Sequence, residues 1–260
     1  MHAQLRRGYR RNPFRIQDGL SITPRAGLNV FFGDLVDKSR ASYSVGVTAD
    51  REMSKYLSAR VQLMAGAMQG TQLYDDSDVP YATFDNFYGE FTIGGTYRPL
   101  NQLLGYFKER TFQPYVLLQT GLVYYSATEY WGEAALKPDN SNPAGSVWRK
   151  ASGIAPIAGF GGGASFWLTP NLSANFQVDG NMVFGDKMDA HDEWYGGTGK
   201  VYTTDPYDFY YNVTVGVSYL INDSKWRNEP RYNRRTYQKT RKFFQSKASR
   251  RRPSSHLRRR

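Results

Sequence analysis

The sequence predicts an all-β fold: an eight-stranded antiparallel up-and-down transmembrane β-barrel followed by a basic C-terminal tail. Three observations lead there. Apolar residues recur at every second position in eight separate segments. The face opposite them is made of small neutral residues and holds no lysine. The links between segments alternate between short and long, as in barrels with tight periplasmic turns and larger outer loops.

The first segment sets Leu20-Ile22-Pro24-Ala26-Leu28-Val30-Phe32 against Ser21-Thr23-Arg25-Gly27-Asn29-Phe31-Gly33. The second sets Tyr43-Val45-Val47-Ala49 against Ser42-Ser44-Gly46-Thr48-Asp50, and the third sets Leu57-Ala59-Val61-Leu63-Ala65-Ala67 against Ser58-Arg60-Gln62-Met64-Gly66-Met68. In the fourth, Phe87-Gly89-Phe91-Ile93-Gly95-Tyr97 opposes Tyr88-Glu90-Thr92-Gly94-Thr96-Arg98. The fifth and sixth, 112–124 and 154–168, are less clean, with Leu117, Val123, Ile157 and Trp167 among the glycines and glutamines of the second face. The seventh sets Leu172-Ala174-Phe176-Val178-Gly180-Met182-Phe184 against Ser173-Asn175-Gln177-Asp179-Asn181. The last, 207–221, is apolar or aromatic at every odd position.

Alternation by itself fits a soluble, lipocalin-like barrel with its apolar face inward as well as a membrane barrel with that face outward. The polar face favours the membrane. A water-exposed sheet uses lysine freely, whereas this face has isolated charges such as Arg25, Arg60, Glu90, Arg98 and Asp179. Rings sit near the strand ends of the apolar face, at Phe32, Tyr43, Tyr97, Phe112, Tyr124, Phe184, Tyr207 and Tyr219, where an apolar body and a polar tip suit the lipid boundary. No run of about 18 apolar residues is present, which excludes a transmembrane helix but not a strand barrel. The mean hydropathy of −0.62 conceals such strands because their two faces average out.

Tight links are read at 52–56 and 169–171, and long ones at 34–40, 70–84, 127–152 and 185–206. The link 98–111 is a longer inner one with room for a helical turn. An even strand number puts both termini on the periplasmic side. The chain divides into a basic segment 1–18, a barrel 19–221 and a basic periplasmic tail 222–260. Of the formal charge of +11, residues 1–18 contribute +4 and residues 222–260 contribute +13, so the barrel itself is near −6. The opening "MHAQ" reads as the remnant of a secretory signal cleaved after Ala3, residues 1–3, with the true start upstream. The absence of cysteine removes disulfides, thiolate metal sites and cysteine nucleophiles.

"FFGD" ending the first strand, "FQPYVLLQTGLVYY" and "GFGGGASFWLTPNLSANFQ" resemble strands and turns of the eight-stranded outer-membrane barrels typified by the OmpA transmembrane domain and OmpX. Thr214, Gly216, Tyr219 and Ile221 resemble that family's C-terminal assembly signal. The resemblance spans about residues 19–221 and implies residence in the bacterial outer membrane, with outer-membrane lipids and the barrel-assembly machinery as partners. Here 39 residues follow the signal, too few and too basic for a folded peptidoglycan-binding domain. Barrels of similar size also occur as accessory parts of the type IX secretion apparatus, which stays open as an alternative.

Arg25, Arg60, Glu90 and Asp179 form the candidate lumen charge cluster, read as a salt-bridged plug or a switchable gate. The plug is preferred because buried charges must be paired and an eight-stranded interior is filled by side chains. Tyr74–Val79 and Asp186–Trp194 place carboxylates in outer loops without metal-loop spacing, so no metal and no cofactor is expected. Catalysis would fall to His191 with Asp189 or Asp192, since His2 and His256 lie in the terminal segments. One loop histidine is too little for an enzyme assignment. The tail interleaves Lys/Arg with rings, and its candidate partner-binding residues are Trp226, Arg231, Arg234, Arg235, Tyr237, Lys239, Arg241 and Lys242. In a soluble protein that mixture suggests nucleic acid. In the periplasm the available anions are peptidoglycan, anionic lipid or an acidic protein, and no nucleic acid is expected. The sequence therefore points to a non-enzymatic outer-membrane barrel serving as an anchor or as an assembly or secretion component. A lipid-modifying enzyme of the outer leaflet and a narrow gated pore are the less favoured alternatives.

Overall fold

The protein is described by a computed structural model covering residues 16–33, 38–73, 78–104, 111–133, 143–190, 193–195, 201–203 and 207–224. Its strands are β1 (Leu20–Phe32), β2 (Lys38–Arg40), β3 (Ser42–Glu52), β4 (Leu57–Leu73), β5 (Pro80–Tyr97), β6 (Phe112–Trp131), β7 (Val147–Trp167), β8 (Leu172–Val183), β9 (Glu193–Tyr195), β10 (Val201–Thr203) and β11 (Asp208–Leu220), with one helical turn α1 (Pro99–Leu103). The expected inner helical turn is α1, with Pro99 at its start, where proline loses no hydrogen bond.

Eight strands close a ring in the order β1-β3-β4-β5-β6-β7-β8-β11, all neighbours antiparallel, and β11 returns to β1. β2 lies on the free upper edge of β4, and β9 with β10 forms a separate hairpin. Starting from Gly27, the register runs one way through Ser44, Gly66 and Tyr88 to Tyr125. The other way it runs through Thr214, Gln177 and Gly163 to Tyr115. Both routes end on β6, ten residues apart, and this stagger is the shear of the barrel. With a rise of ~3.3 Å per residue and a strand spacing of ~4.8 Å, that shear over eight strands tilts them about 40°.

Side-chain parity is inside-out relative to a soluble protein. Leu28, Val45, Leu63, Ile93, Leu118, Phe160, Phe176 and Val215 are exposed on the outer wall, while Thr23, Asn29, Thr48, Gln62, Thr92, Gln177, Asn181 and Asn212 are buried within. Rings bound the apolar belt. At the loop end Phe32 meets Tyr211 edge-on at 5.6 Å and Phe184 meets Tyr207 at 5.9 Å; at the turn end Phe112 packs on Phe166 at 5.0 Å. On β11 the stretch from Tyr211 to Tyr219 spans ~20 Å at this tilt, close to the ~25 Å apolar band of a membrane barrel. Such a wall is stable only in hydrocarbon.

Four strands outrun their sequence-based limits by five to seven residues, β4 and β6 at their ends and β5 and β7 at their starts. Above the lipid the backbone pairing and the inward burial both continue, at Phe84, Asn86, Ala127 and Glu129, but the outer side no longer demands apolar residues. The hydropathy alternation lapses there, with register shifts at Gln72/Leu73 and Glu129/Tyr130. On this raised wall Trp131 stacks on Trp148 at 3.7 Å. β8 ends opposite Ile157, so the upper part of β7 pairs only with β6. Its edge carries exposed Lys150 and ends at Pro156, two residues that discourage further strand pairing.

Candidate functional site

The interior has two storeys. The lower one, toward the turns, is polar and charged. Asp50 and Arg60 are register partners on β3 and β4. Arg60 donates from Nε to Asp50 Oδ1 at 2.7 Å and from Nη2 to Oδ2 at 2.9 Å. Its Nη1 reaches across the barrel to Gln177 Oε1 at 2.5 Å, and the guanidinium lies over the Tyr115 ring at 5.1 Å. Arg25 donates from Nε to Thr48 Oγ1 at 3.0 Å, and more distantly to the Tyr115 hydroxyl at 3.4 Å and Thr214 Oγ1 at 3.5 Å. Among the described residues no carboxylate comes within ion-pair distance of it.

Glu90 and Asp179 are 2% and 1% exposed. Glu90 Oε2 accepts from the Tyr210 hydroxyl at 2.7 Å and Oε1 from Gln62 Nε2 at 3.4 Å. Asp179 accepts from Gln177 Nε2 at 2.7 Å, Asn181 Nδ2 at 3.1 Å and Asn212 Nδ2 at 3.4 Å. All four residues of the expected charge cluster thus lie inside the barrel, yet none of them pairs with another. Arg60 pairs with Asp50, and the other two carboxylates are held by neutral donors. Asp50, Tyr115, Gln177 and Tyr210 are the members that sequence reasoning missed. Asp50 stands in the inward-facing set of its strand, which was the available signal; its pairing depends on register.

The upper storey is apolar. Phe31, Met68, Phe84, Val123, Ile157, Val183 and Tyr210 are fully buried in one cluster, with Phe31 edge-on to Phe84 at 5.2 Å. Segment 185–190 crosses over it. Met188 is buried, its N–H donates to Asp208 Oδ2 at 3.0 Å, and its carbonyl accepts from Asn86 Nδ2 at 2.8 Å. Asn86 in turn accepts through Oδ1 from the Ser126 N–H at 3.0 Å. Asp189, one of the carboxylates considered for catalysis, is buried in this cap, while His191 and Asp192 lie outside the described residues, as do residues 74–77. Among the described residues no group of three or more His, Asp and Glu is arranged to hold a metal ion.

At the turn end a clamp joins the two flanks of the barrel, residues 18–19 and 222–224. Gly19 has φ +74°, and a Cβ there would meet Ser224 Cβ at 2.9 Å and Glu52 Cβ at 3.0 Å; only glycine fits both constraints. Its N–H donates to the Asn222 carbonyl at 3.0 Å, and Asp18 bridges Asn222. Ser224 Oγ donates to Glu52 Oε2 at 2.5 Å, and Arg98 Nη1 pairs with Glu52 Oε1 at 3.2 Å. The tail residues Trp226, Arg231, Arg234, Arg235, Tyr237, Lys239, Arg241 and Lys242 lie outside the described residues.

The four residues read as an assembly signal occupy three environments. Thr214 is buried beside Arg25, Tyr219 is exposed on the wall, and Ile221 lies just past β11. Gly216 faces inward, where a Cβ would meet the Pro24 carbonyl oxygen at 2.5 Å and Arg25 Cγ at 2.9 Å. It has a packing reason of its own, which is to leave room for the Arg25 stem.

No family model matches the sequence, and no curated protein does. Among solved structures the chain is similar to Neisserial surface protein A at 14% identity and a TM-score of 0.44, covering 78% of this chain and 97% of that one. Ail, the attachment invasion locus protein of Yersinia pestis, shares 13% identity at a TM-score of 0.42, covering 78% of this chain and 98% of that one. A major outer membrane protein from Thermus thermophilus shares 13% at 0.45, covering 77% and 98%. The fold assignment rests on the closed register and the inverted polarity rather than on these overlaps. With eight strands, a shear of ten residues, an apolar wall and a filled polar centre, the chain has the architecture of the OmpA- and OmpX-like eight-stranded transmembrane β-barrels.

Proposed function

We propose that the protein is a non-enzymatic barrel of the bacterial outer membrane, working as an anchor or assembly component through its basic terminal segments. The observation that carries this is the filled interior, from Glu52 and Arg98 at the turn end, through the Asp50–Arg60 pair and the apolar storey, to Met188 at the loop end. A barrel packed along its whole axis is a scaffold rather than a conduit. Residues 18–19 and 222–224, which flank the barrel, share an end with the short turns at 53–56 and 168–171, which supports a periplasmic placement for both terminal segments.

Cell fractionation tests the location, and a heat-modifiable gel shift tests the folded barrel. Planar-bilayer recording should give no stepwise conductance, since steady unitary currents require an open lumen. Deleting residues 225–260 should leave the heat-modifiable band in place and abolish cross-links to envelope components. Persistence of the same cross-links would remove the tail from the role.

A further inference from the structure

We infer that the turn-end rim of the barrel is a lipid-binding surface in its own right, seated in the headgroup–acyl boundary of the leaflet it reaches. The inference rests on the membrane-barrel reading and extends it from the strands to the links between them. Its first support is that the links at this end turn apolar side chains outward. Met53 in the β3–β4 turn, Leu103 and Leu104 at the end of α1, Leu168 in the β7–β8 turn and Ile16 ahead of β1 are between 55% and 76% exposed. Contact with water alone would favour polar turn residues at such positions. The second support is the polarity of α1. The Asn101 side chain is buried and donates from Nδ2 to the Lys55 carbonyl at 2.9 Å, and the Arg98 N–H donates to the Tyr56 carbonyl at 2.8 Å. The Tyr97 hydroxyl bonds Gln102, and the Tyr97 ring meets Tyr56 edge-on at 6.4 Å. α1 and the β3–β4 turn are thus one unit whose buried side chain is an amide and whose most exposed ones are leucines. A helical turn facing water would place them the other way round. The parity of the lipid wall carries on past the last strand residue.

The third support is continuity with the wall. Leu57 is an exposed wall residue at the start of β4, and its carbonyl accepts from the Met53 N–H at 3.0 Å. Leu168 follows Phe166, the exposed ring packed on Phe112, by two residues. At ~3.3 Å per residue and a tilt of about 40°, that sets it ~5 Å beyond the girdle. This is the depth at which apolar side chains enter the headgroup boundary. No polar belt parts the rim from the wall at these two places. A soluble partner would have to cover a surface that runs without a break into hydrocarbon, whereas lipid covers both at once.

The test folds the full chain, methyl-labelled at Leu, Val and Met, into phosphatidylcholine nanodiscs. It compares NMR line broadening by two agents, a lipid spin-labelled near the top of its acyl chain and a soluble gadolinium chelate. The methyls of Met53, Leu103, Leu104 and Leu168 should be broadened several-fold more by the lipid label than by the chelate. Val79, exposed at the loop end, supplies the aqueous reference and should show the reverse. Val215, on the wall, should respond to a label placed deep in the chain. Rim methyls that behave like Val79 would overturn the inference, because they would stand in water. So would rim methyls sheltered from both agents, because protein rather than lipid would then cover them. A chain that never gives the heat-modifiable band would instead strike at the barrel reading itself.

Discussion

Asp50 and Arg60 face each other across β3 and β4, and the guanidinium holds both carboxylate oxygens, from Nε at 2.7 Å and Nη2 at 2.9 Å. The pair lies inside the wall, with side chains 10% and 4% exposed. Two donors in a planar fork match two acceptors, the geometry in which an Arg–carboxylate pair is strongest. Removing one partner strands the other charge in the interior. Asp50→Ala is expected to cost about 3–5 kcal/mol of barrel stability, read from urea unfolding in lipid vesicles. A double variant, Asp50→Leu with Arg60→Met, should recover much of that loss; if it is as unstable as the single variant, the uncompensated charge is not the cause.

The lipid wall makes a sharper claim than hydropathy does. Val215 is exposed near the middle of the belt and its neighbour Thr214 is buried inside. Val215→Arg should destabilise insertion by about 2–4 kcal/mol, whereas Thr214→Ser should be nearly silent. Folding titrations into vesicles measure both. An outer wall facing water would show no such penalty at Val215.

Gly216 separates assembly from packing. A Cβ at this position would press on the Pro24 carbonyl and the Arg25 stem. Gly216→Ala should therefore cost roughly 1–3 kcal/mol in purified refolding, with no assembly machinery present. Tyr219→Ala leaves the interior intact and should act mainly on assembly in cells, read as the heat-modifiable fraction in membranes. Equal in-vitro stability of Gly216→Ala and the parent protein would refute the packing role.

Outside the membrane, Lys38 Nζ bonds Asp78 Oδ1 at 2.6 Å and ties β2 to the start of β5. That hydrogen bond, and then the charge of the ammonium, hold the Asp78 carboxyl below the usual carboxylate range. A lowered folded-state value means that the contact contributes fully above the ordinary carboxylate pKa and is lost as pH falls through the lowered one. An NMR titration should place Asp78 below the exposed carboxylates, and Lys38→Ala should return it to their range. Both groups are solvent-exposed, so salt should weaken the shift.

Strand number, side-chain parity and the two kinds of turn were legible because lipid and lumen impose opposite demands on alternate residues, and the sequence records those demands at every second position. The segment from Tyr207 to Ile221 carried the whole pattern. Where that two-sided pressure ends, above the girdle, so did legibility: the extensions of β4 to β7 and the Trp131–Trp148 stack left no periodic trace. The apolar upper storey was also missed. Phe31, Met68 and Tyr88 stand in the inward sets, but taken strand by strand they look like exceptions rather than one cluster.

The sequence by itself determined which side chains face the membrane and which face the centre, because the period of two belongs to the strand alone. Only the tertiary structure decided which inward residues meet. That depends on the ten-residue stagger with which the ring closes, a property of all eight strands together. The β3–β4 register sets Arg60 against Asp50, while the closed ring brings Arg60 within reach of Gln177, leaves Glu90 and Asp179 to neutral donors, and brings Gly19, Glu52 and Ser224 to one clamp.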